Sequence, residues 1–125
     1  MFDRSALVMT TILAGMQDSV LVLKSSKDGW KVDESLRGRH PESIAFDPLN
    51  PSRAYCGTFG GGLWKTNDGG KNWDKIGTGF ISNSNVTSVS VSPLEKGKNG
   101  LNVLYVGTEP SEFYRSGDGG DSLER

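Results

Sequence analysis

The chain has 125 residues, 34% of them hydrophobic, and 14 Lys+Arg against 15 Asp+Glu leave a net charge of −1. That length suits one domain with a modest core, and scattered, balanced charge without a basic stripe argues against nucleic acid as a partner. No run of eighteen apolar residues is present for a membrane-spanning helix, and the lone Cys56 cannot form an internal disulfide, which fits the cytoplasm.

Residues 1–8 fit no repeating unit and read as an N-terminal extension. The stretch Ala6 to Ala14 follows Arg4 and faintly imitates a secretory leader. Asp3, Thr10 and Thr11 weigh against that, so a cytoplasmic location is expected over secretion. A first unit, 9–40, holds the strand-like runs Ile12-Leu13-Ala14-Gly15-Met16, Val20 to Leu23 and Trp30 to Val32. Between the last two lies the turn Ser26-Lys27-Asp28-Gly29-Trp30. Arg37, Arg39 and His40 form a small basic loop before Pro41, expected on the solvent face.

A second unit, 41–80, has four runs: Ser43 to Phe46, Ala54 to Thr58, Leu63 to Lys65 and Trp73 to Ile76. Its turn, Thr66-Asn67-Asp68-Gly69-Gly70-Lys71-Asn72-Trp73, is the cleanest copy of the repeated phrase. The third unit, 81–125, has Val86 to Val91, Leu104 to Thr108 and Phe113 to Arg115, then Ser116-Gly117-Asp118-Gly119-Gly120-Asp121-Ser122-Leu123, with Leu in the place of Trp. Pro48 and Pro93 are each expected to stop the first strand of their unit, because proline cannot donate to a ladder. The runs ending in Gly15, Gly57 and Gly107 align without gaps. From that Gly to the turn Asp is 11 residues in units two and three and 13 in unit one. The turn aspartates are 40 and 50 residues apart, the larger spacing arising mainly from an insertion, Glu95 to Gly100. Short strands, frequent turns and no sustained helical period define an all-β repeat array.

The turn has a physical logic. Gly69 and Gly70, like Gly119 and Gly120, supply positive φ without steric cost. Asp68 offers two short-armed acceptor oxygens to inward-pointing N–H groups, and the Thr66 hydroxyl serves the same loop. Trp73 is expected to pack as an apolar plate between neighbouring strands.

The pattern Ser/Thr-x-Asp-x-Gly-x-x-Trp, repeating every 40 to 50 residues, resembles the Asp-box, or bacterial neuraminidase repeat. The resemblance runs from about Met9 to Leu123 and implies a partial β-propeller of four-stranded antiparallel blades with Asp-box hairpins. The box residues it implies are Ser26, Asp28, Gly29 and Trp30; Thr66, Asp68, Gly69, Gly70 and Trp73; and Ser116, Asp118, Gly119 and Gly120. In that family the box lies between a blade's third and fourth strands, on the rim away from the central channel. The units then make an incomplete first blade, a complete second and a third truncated in its last strand. Propellers close at about four to eight blades, so the chain is expected to be an N-terminal fragment of a longer propeller. A homo-oligomer completing a ring and an open array are the other readings.

The same boxes occur in sialidases, sortilin-like receptors, cellulose-active enzymes and photosystem assembly factors, so the fold leaves function open. The Phe/Tyr-Arg-Ile-Pro element of sialidases is missing; Phe113-Tyr114-Arg115-Ser116 lacks the Ile-Pro. Glycoside hydrolysis requires two converging carboxylates, and Glu42, Asp47, Glu109 and Glu112 show no pattern that pairs them. Cys56 reads as a small buried apolar residue, and His40 has no partner for a triad or a zinc site. No catalytic residue, metal or cofactor is expected. The function expected is a binding scaffold for a protein or glycan partner, with a fragment of a sialidase-like hydrolase as the alternative. Its ligand-facing candidates are the loops bearing Arg37 and Arg39; Phe59, Gly60, Gly61 and Gly62; and Glu109 and Glu112.

Overall fold

A computed structural model describes residues 10–125. The expected extension, 1–8, lies outside the described residues, as do Met9 and the first part of the leader-like stretch. Three antiparallel sheets follow one another along the chain. The first holds β1 (Thr11–Gly15), β2 (Val20–Ser26) and β3 (Gly29–Ser35). The second holds β4 (Pro41–Asp47), β5 (Asn50–Thr58), β6 (Gly62–Thr66) and β7 (Asp74–Ile76). The third holds β8 (Val86–Lys96), β9 (Asn102–Thr108) and β10 (Phe113–Ser116). Each sheet is a meander, because connections this short can only join antiparallel neighbours.

One expectation about proline is corrected. β4 ends at Asp47, before Pro48, but β8 runs on through Pro93 to Lys96. Its pairing with β9 lapses between Val91↔Leu104 and Lys96↔Asn102. Pro93 falls inside that lapse, where its missing N–H is not needed by a ladder. At the far end of the chain, Arg115 and Glu124 exchange backbone bonds at 2.7 and 2.9 Å, which starts a fourth row beside β10.

The core lies between the second and third sheets. Tyr55 and Leu63 of the second sheet meet Val86, Val89, Val91, Leu104, Val106 and Tyr114 of the third, with Leu123 closing the edge. The alternation of β8 and β9 decides this: one face is Val89, Val91, Leu104 and Val106, and the other carries Ser88, Ser90, Tyr105 and Gly107. A smaller seam joins the first and second sheets, where Val20 and Val22 are buried. Cys56 is fully buried, and burial pushes its thiol up to about 12, as expected of an inert core residue.

At Gly57 the second sheet comes close against the third. A Cβ there would lie 2.5 Å from the Val86 carbonyl oxygen, a backbone atom that cannot step aside. Gly57→Ala is therefore expected to destabilise the protein by about 1–3 kcal/mol, the usual cost of overpacking. Urea unfolding curves of the two proteins measure it.

Candidate functional site

The loops and turns separate to opposite ends of the sheets. One end is stapled by the repeated turn. Between β6 and β7 the Thr66 hydroxyl accepts from the Gly70 N–H at 2.9 Å and donates to Asp68 Oδ1 at 2.8 Å. Asp68 accepts the Asn72 N–H on Oδ1 and the Asn72 side-chain amide on Oδ2, both at 2.8 Å. The turn after β10 repeats this bond for bond, with the Ser122 hydroxyl in place of the Asn72 amide. Ser116 accepts from Gly120 N–H at 2.9 Å, and Asp118 accepts from Ser122 N–H at 2.9 Å and from the Ser122 hydroxyl at 2.5 Å. The hydroxyl, rather than the carboxylate, receives the glycine N–H. The carboxylate reaches forward to the residue four positions on.

These bonds set the charge state. The Asn72 N–H, followed by its amide, holds the Asp68 carboxyl down to about 2. At Asp118 burial pushes the pKa up, but the Ser122 and Ser116 hydrogen bonds outweigh it, and the carboxyl also lies at about 2. Both glycine pairs take the φ that only glycine holds without strain: 73° and 96° at Gly69 and Gly70, 75° and 94° at Gly119 and Gly120.

The first copy is built differently. Ser26 pairs directly with Gly29, so Lys27 and Asp28 alone form the turn. Ser26 Oγ accepts from Asp28 N–H at 3.3 Å and donates to the Gly29 carbonyl. No bond reaches the Asp28 carboxylate among the described residues. Trp30 occupies the place of the second glycine and is 54% exposed. Without that glycine the N–H four positions on does not return to the Ser26 hydroxyl, as the Gly70 and Gly120 N–H groups return to theirs. Trp73, by contrast, is half-buried, and its indole N–H lies 3.0 Å from both Ser35 Oγ in the first sheet and the Gly70 carbonyl.

The opposite end gathers the connecting loops of all three sheets. Phe59 N–H reaches the His40 carbonyl at 2.9 Å, Gly60 and Gly62 N–H both reach Ser84, and Glu109 N–H reaches Asn85. The candidate loops thus form one continuous surface. Arg37 is drawn to Glu34 at 2.5 Å, whereas the Arg39 guanidinium lies 5.1 Å from the Trp64 ring centroid. Phe59 is 51% exposed beside them. Two of the three loop glycines spend their N–H groups on Ser84 rather than leaving them open to a ligand. On the third sheet's side, Glu112 accepts from the Tyr114 hydroxyl, from Ser82 Oγ at 3.1 Å and from Arg125 at 2.8 Å. The Tyr114 bond is the main cause holding its carboxyl below the ordinary range. The Glu109 carboxylate is exposed. A groove of about 450 Å³ runs behind this end, lined by Gly62, Lys75, Ile76, Gly77 and Ser84.

Two threonines at this end escape sequence inspection. Thr58 donates to the Gly62 carbonyl at 2.7 Å, and Thr108, at the equivalent place, donates to the Pro110 carbonyl at 2.8 Å and accepts from Glu112 N–H. Their alignment directly after Gly57 and Gly107 was the available signal. Asp47 is buried and occupied by Arg53 at 3.3 Å and Leu49 N–H at 2.9 Å, at the stapled end. No cluster of three or more metal-ligating side chains occurs among the described residues.

No protein-family model matches this sequence, and no curated protein does. Solved β-propeller structures share its fold, among them the following two. "YCF48 bound to D1 peptide" superposes with a TM-score of 0.57 at 13% identity, over 93% of this chain and 43% of that one. An ancestral GH74 enzyme superposes with a TM-score of 0.52 at 20% identity, over 94% of this chain and 18% of that one. The fold is a partial β-propeller. Each sheet is a blade, and the chain spans under half of the first neighbour and under a fifth of the second.

Asp68→Ala is expected to cost about 1–3 kcal/mol in urea melts, by removing the charge-assisted bonds that the carboxylate makes to Asn72 and Thr66, and Asp28→Ala far less. The acid limb separates the two further. Asp68 titrates at about 2 when folded against an ordinary 3.8, so its contribution is whole above 3.8 and is lost as pH falls through about 2. Asp68→Asn should flatten stability over that interval, as read by thermal melts between pH 5 and pH 2.

Proposed function

We propose that this chain is a non-catalytic segment of an Asp-box β-propeller that serves as a binding scaffold for a protein partner. The supporting observation is the division of the ends. The repeated acids of the second and third turns are consumed in turn bonds at one end, while loops of all three blades join into one surface at the other. That surface is mixed in charge, with Arg39 and Phe59 exposed on one flank and Glu109 on the other. Such a surface suits a peptide segment with both apolar and charged side chains. The YCF48 neighbour is bound to D1 peptide, which supports a protein partner over a glycan.

The alternative, a piece of a sialidase-like hydrolase, requires convergent carboxylates. Asp47 and Glu112 each have their oxygens occupied, and Asp47 lies at the stapled end. In the scaffold reading a complete ring needs further blades, supplied by more of the same polypeptide or by other copies.

Peptides selected from a random displayed library against the purified chain should lose binding at least about tenfold with Arg39→Glu or Phe59→Ala, as interface anchors do. Asp28→Ala should bind as the parent does. Selected peptides indifferent to both loop changes would overturn the assignment of the surface. A fluorogenic sialoside should remain unhydrolysed, and turnover that follows the purified protein through gel filtration would overturn the non-catalytic reading.

A further inference from the structure

A groove of about 410 Å³ runs between the first blade and the turn of the second. Its walls are β2, β3 and the turn after β6, so both sides lie inside the array. Lys24 of β2, Lys31, Asp33 and Ser35 of β3, and Lys71 of the turn line it. Strand alternation puts Lys31, Asp33 and Ser35 on one side of β3. The Glu34 carboxylate is held by the Ser19 hydroxyl at 2.7 Å and by Arg37.

The junction between blades two and three has the same places but other residues in them. Lys24 Nζ and Lys65 Nζ lie 3.5 and 3.2 Å from where a Cβ on Gly69 and on Gly119 would be, so each ammonium sits over the first glycine of the following turn. Across the strand pair, Lys24 faces Lys31 and Lys65 faces Asp74. In the turns, Lys71 follows Thr66 at the spacing at which Asp121 follows Ser116. Ile76, cross-strand from Leu63, seals the second junction, 2.6 Å from where a Cβ on Gly120 would be. At the first junction Asp33 stands cross-strand from Val22 instead, and the groove stays open. One junction thus carries Lys24, Lys31, Lys71 and Asp33, and the other Lys65, Asp74, Asp121 and Ile76.

The cations also differ in what they hold. Tyr55 Oη and Lys65 Nζ both donate to the Gly119 carbonyl, at 3.0 and 2.7 Å. On the third blade the matching pair, Tyr105 and Arg115, donates to Glu95. Lys24 is half-buried, yet among the described residues neither its ammonium nor that of Lys71 has a hydrogen bond or an ion pair. Lys31 reaches Asp33 only at 4.0 Å, with both side chains exposed, a pair of little strength. Ser35 Oγ accepts the Trp73 indole N–H at 3.0 Å, which leaves its own hydrogen free to donate. We propose that this groove binds a phosphate group, held by Lys24, Lys31 and Lys71 with Ser35 as a neutral donor. Three cations against Asp33, with Glu34 already paired, favour a dianion over a single carboxylate. A lysine ammonium is a compact charge suited to phosphate, whereas planar recognition of a carboxylate calls for arginine, and no arginine lines the groove. The bound group ties the first blade to the second blade's turn, as Lys65 and Ile76 tie the second blade to the third. A phosphate free in solution and one carried on a phosphoseryl side chain share this chemistry. Neither Arg39 nor Phe59 lines the groove, so the library selection leaves this site standing.

Calorimetric titration of the whole chain near neutral pH tests it, with inorganic phosphate and, separately, with a short phosphoserine peptide and its unphosphorylated twin. Saturable binding of inorganic phosphate supports the site and assigns it to the free anion. Binding of the phosphopeptide alone supports it and assigns it to a phosphorylated polypeptide. Lys24→Gln and Lys71→Gln should each weaken binding at least about tenfold, the loss of one hydrogen bond to a charged group. Lys71→Asp, which copies the turn of the third blade, should abolish it, and Lys98→Gln on the third blade should bind as the parent does. The ligand that binds should also raise the parent's melting temperature, because only the folded chain holds the site. Chloride at equal ionic strength should not reproduce that shift. Circular dichroism confirms that each variant is folded. Binding of neither phosphate nor phosphopeptide would overturn the proposal. So would undiminished binding by folded Lys24→Gln and Lys71→Gln, equal binding of the two peptides, or a melting shift that chloride matches.

Discussion

Gly70 and Gly120 meet two demands at once, and the fold depends on both. Each must adopt a positive φ so that its N–H can return to the hydroxyl that opens the turn. Each must also lack a Cβ, because the preceding blade comes within 2.7 Å of where one would be. The hairpin closure and the stacking of blades therefore pass through the same atoms. A turn that fails to form also fails to dock, which couples local structure to the packing of the core. The carboxylates Asp68 and Asp118 stiffen the turn from outside, without entering the seam themselves.

The blades are built unequally. The second blade has four strands, a docked turn and junctions on both faces. The first has no second glycine in its turn, and its Trp30 lies open. The third has a docked turn, but its fourth strand amounts to one bridge at Glu124. Leu123 fills the position of Trp73 and is buried at 6% exposure, so a smaller side chain suffices where the neighbouring loop folds down on it.

The two ends of the array differ in what their polar groups do. At the turn end, polar groups are paired within the hairpins, and Asp68 and Asp118 are ionised and held well into acid. At the loop end, backbone bonds from Phe59, Gly60, Gly62 and Glu109 tie one blade's loop to the next, which leaves side chains to face outward.

Much of this was legible in the residues. Alternation, turn glycines and the aligned runs at Gly15, Gly57 and Gly107 determined the strands, their order and the number in each blade, since hairpin connections leave no other pairing. Sequence alone also marked Cys56 as a core residue and the first turn as the least faithful copy. Other features depended on contacts between distant segments, which spacing cannot report. Pro93 sits inside a strand because pairing lapses around it. The Gly60 and Gly62 amides are spent on Ser84, a residue well along the chain that only stacking brings near. The fate of the Tyr–cation pairs was decided in the same way. Tyr55 and Tyr105 are identical in the alignment, yet one grips the next blade and the other grips Glu95, because the acceptor within reach is set by what packs against each face.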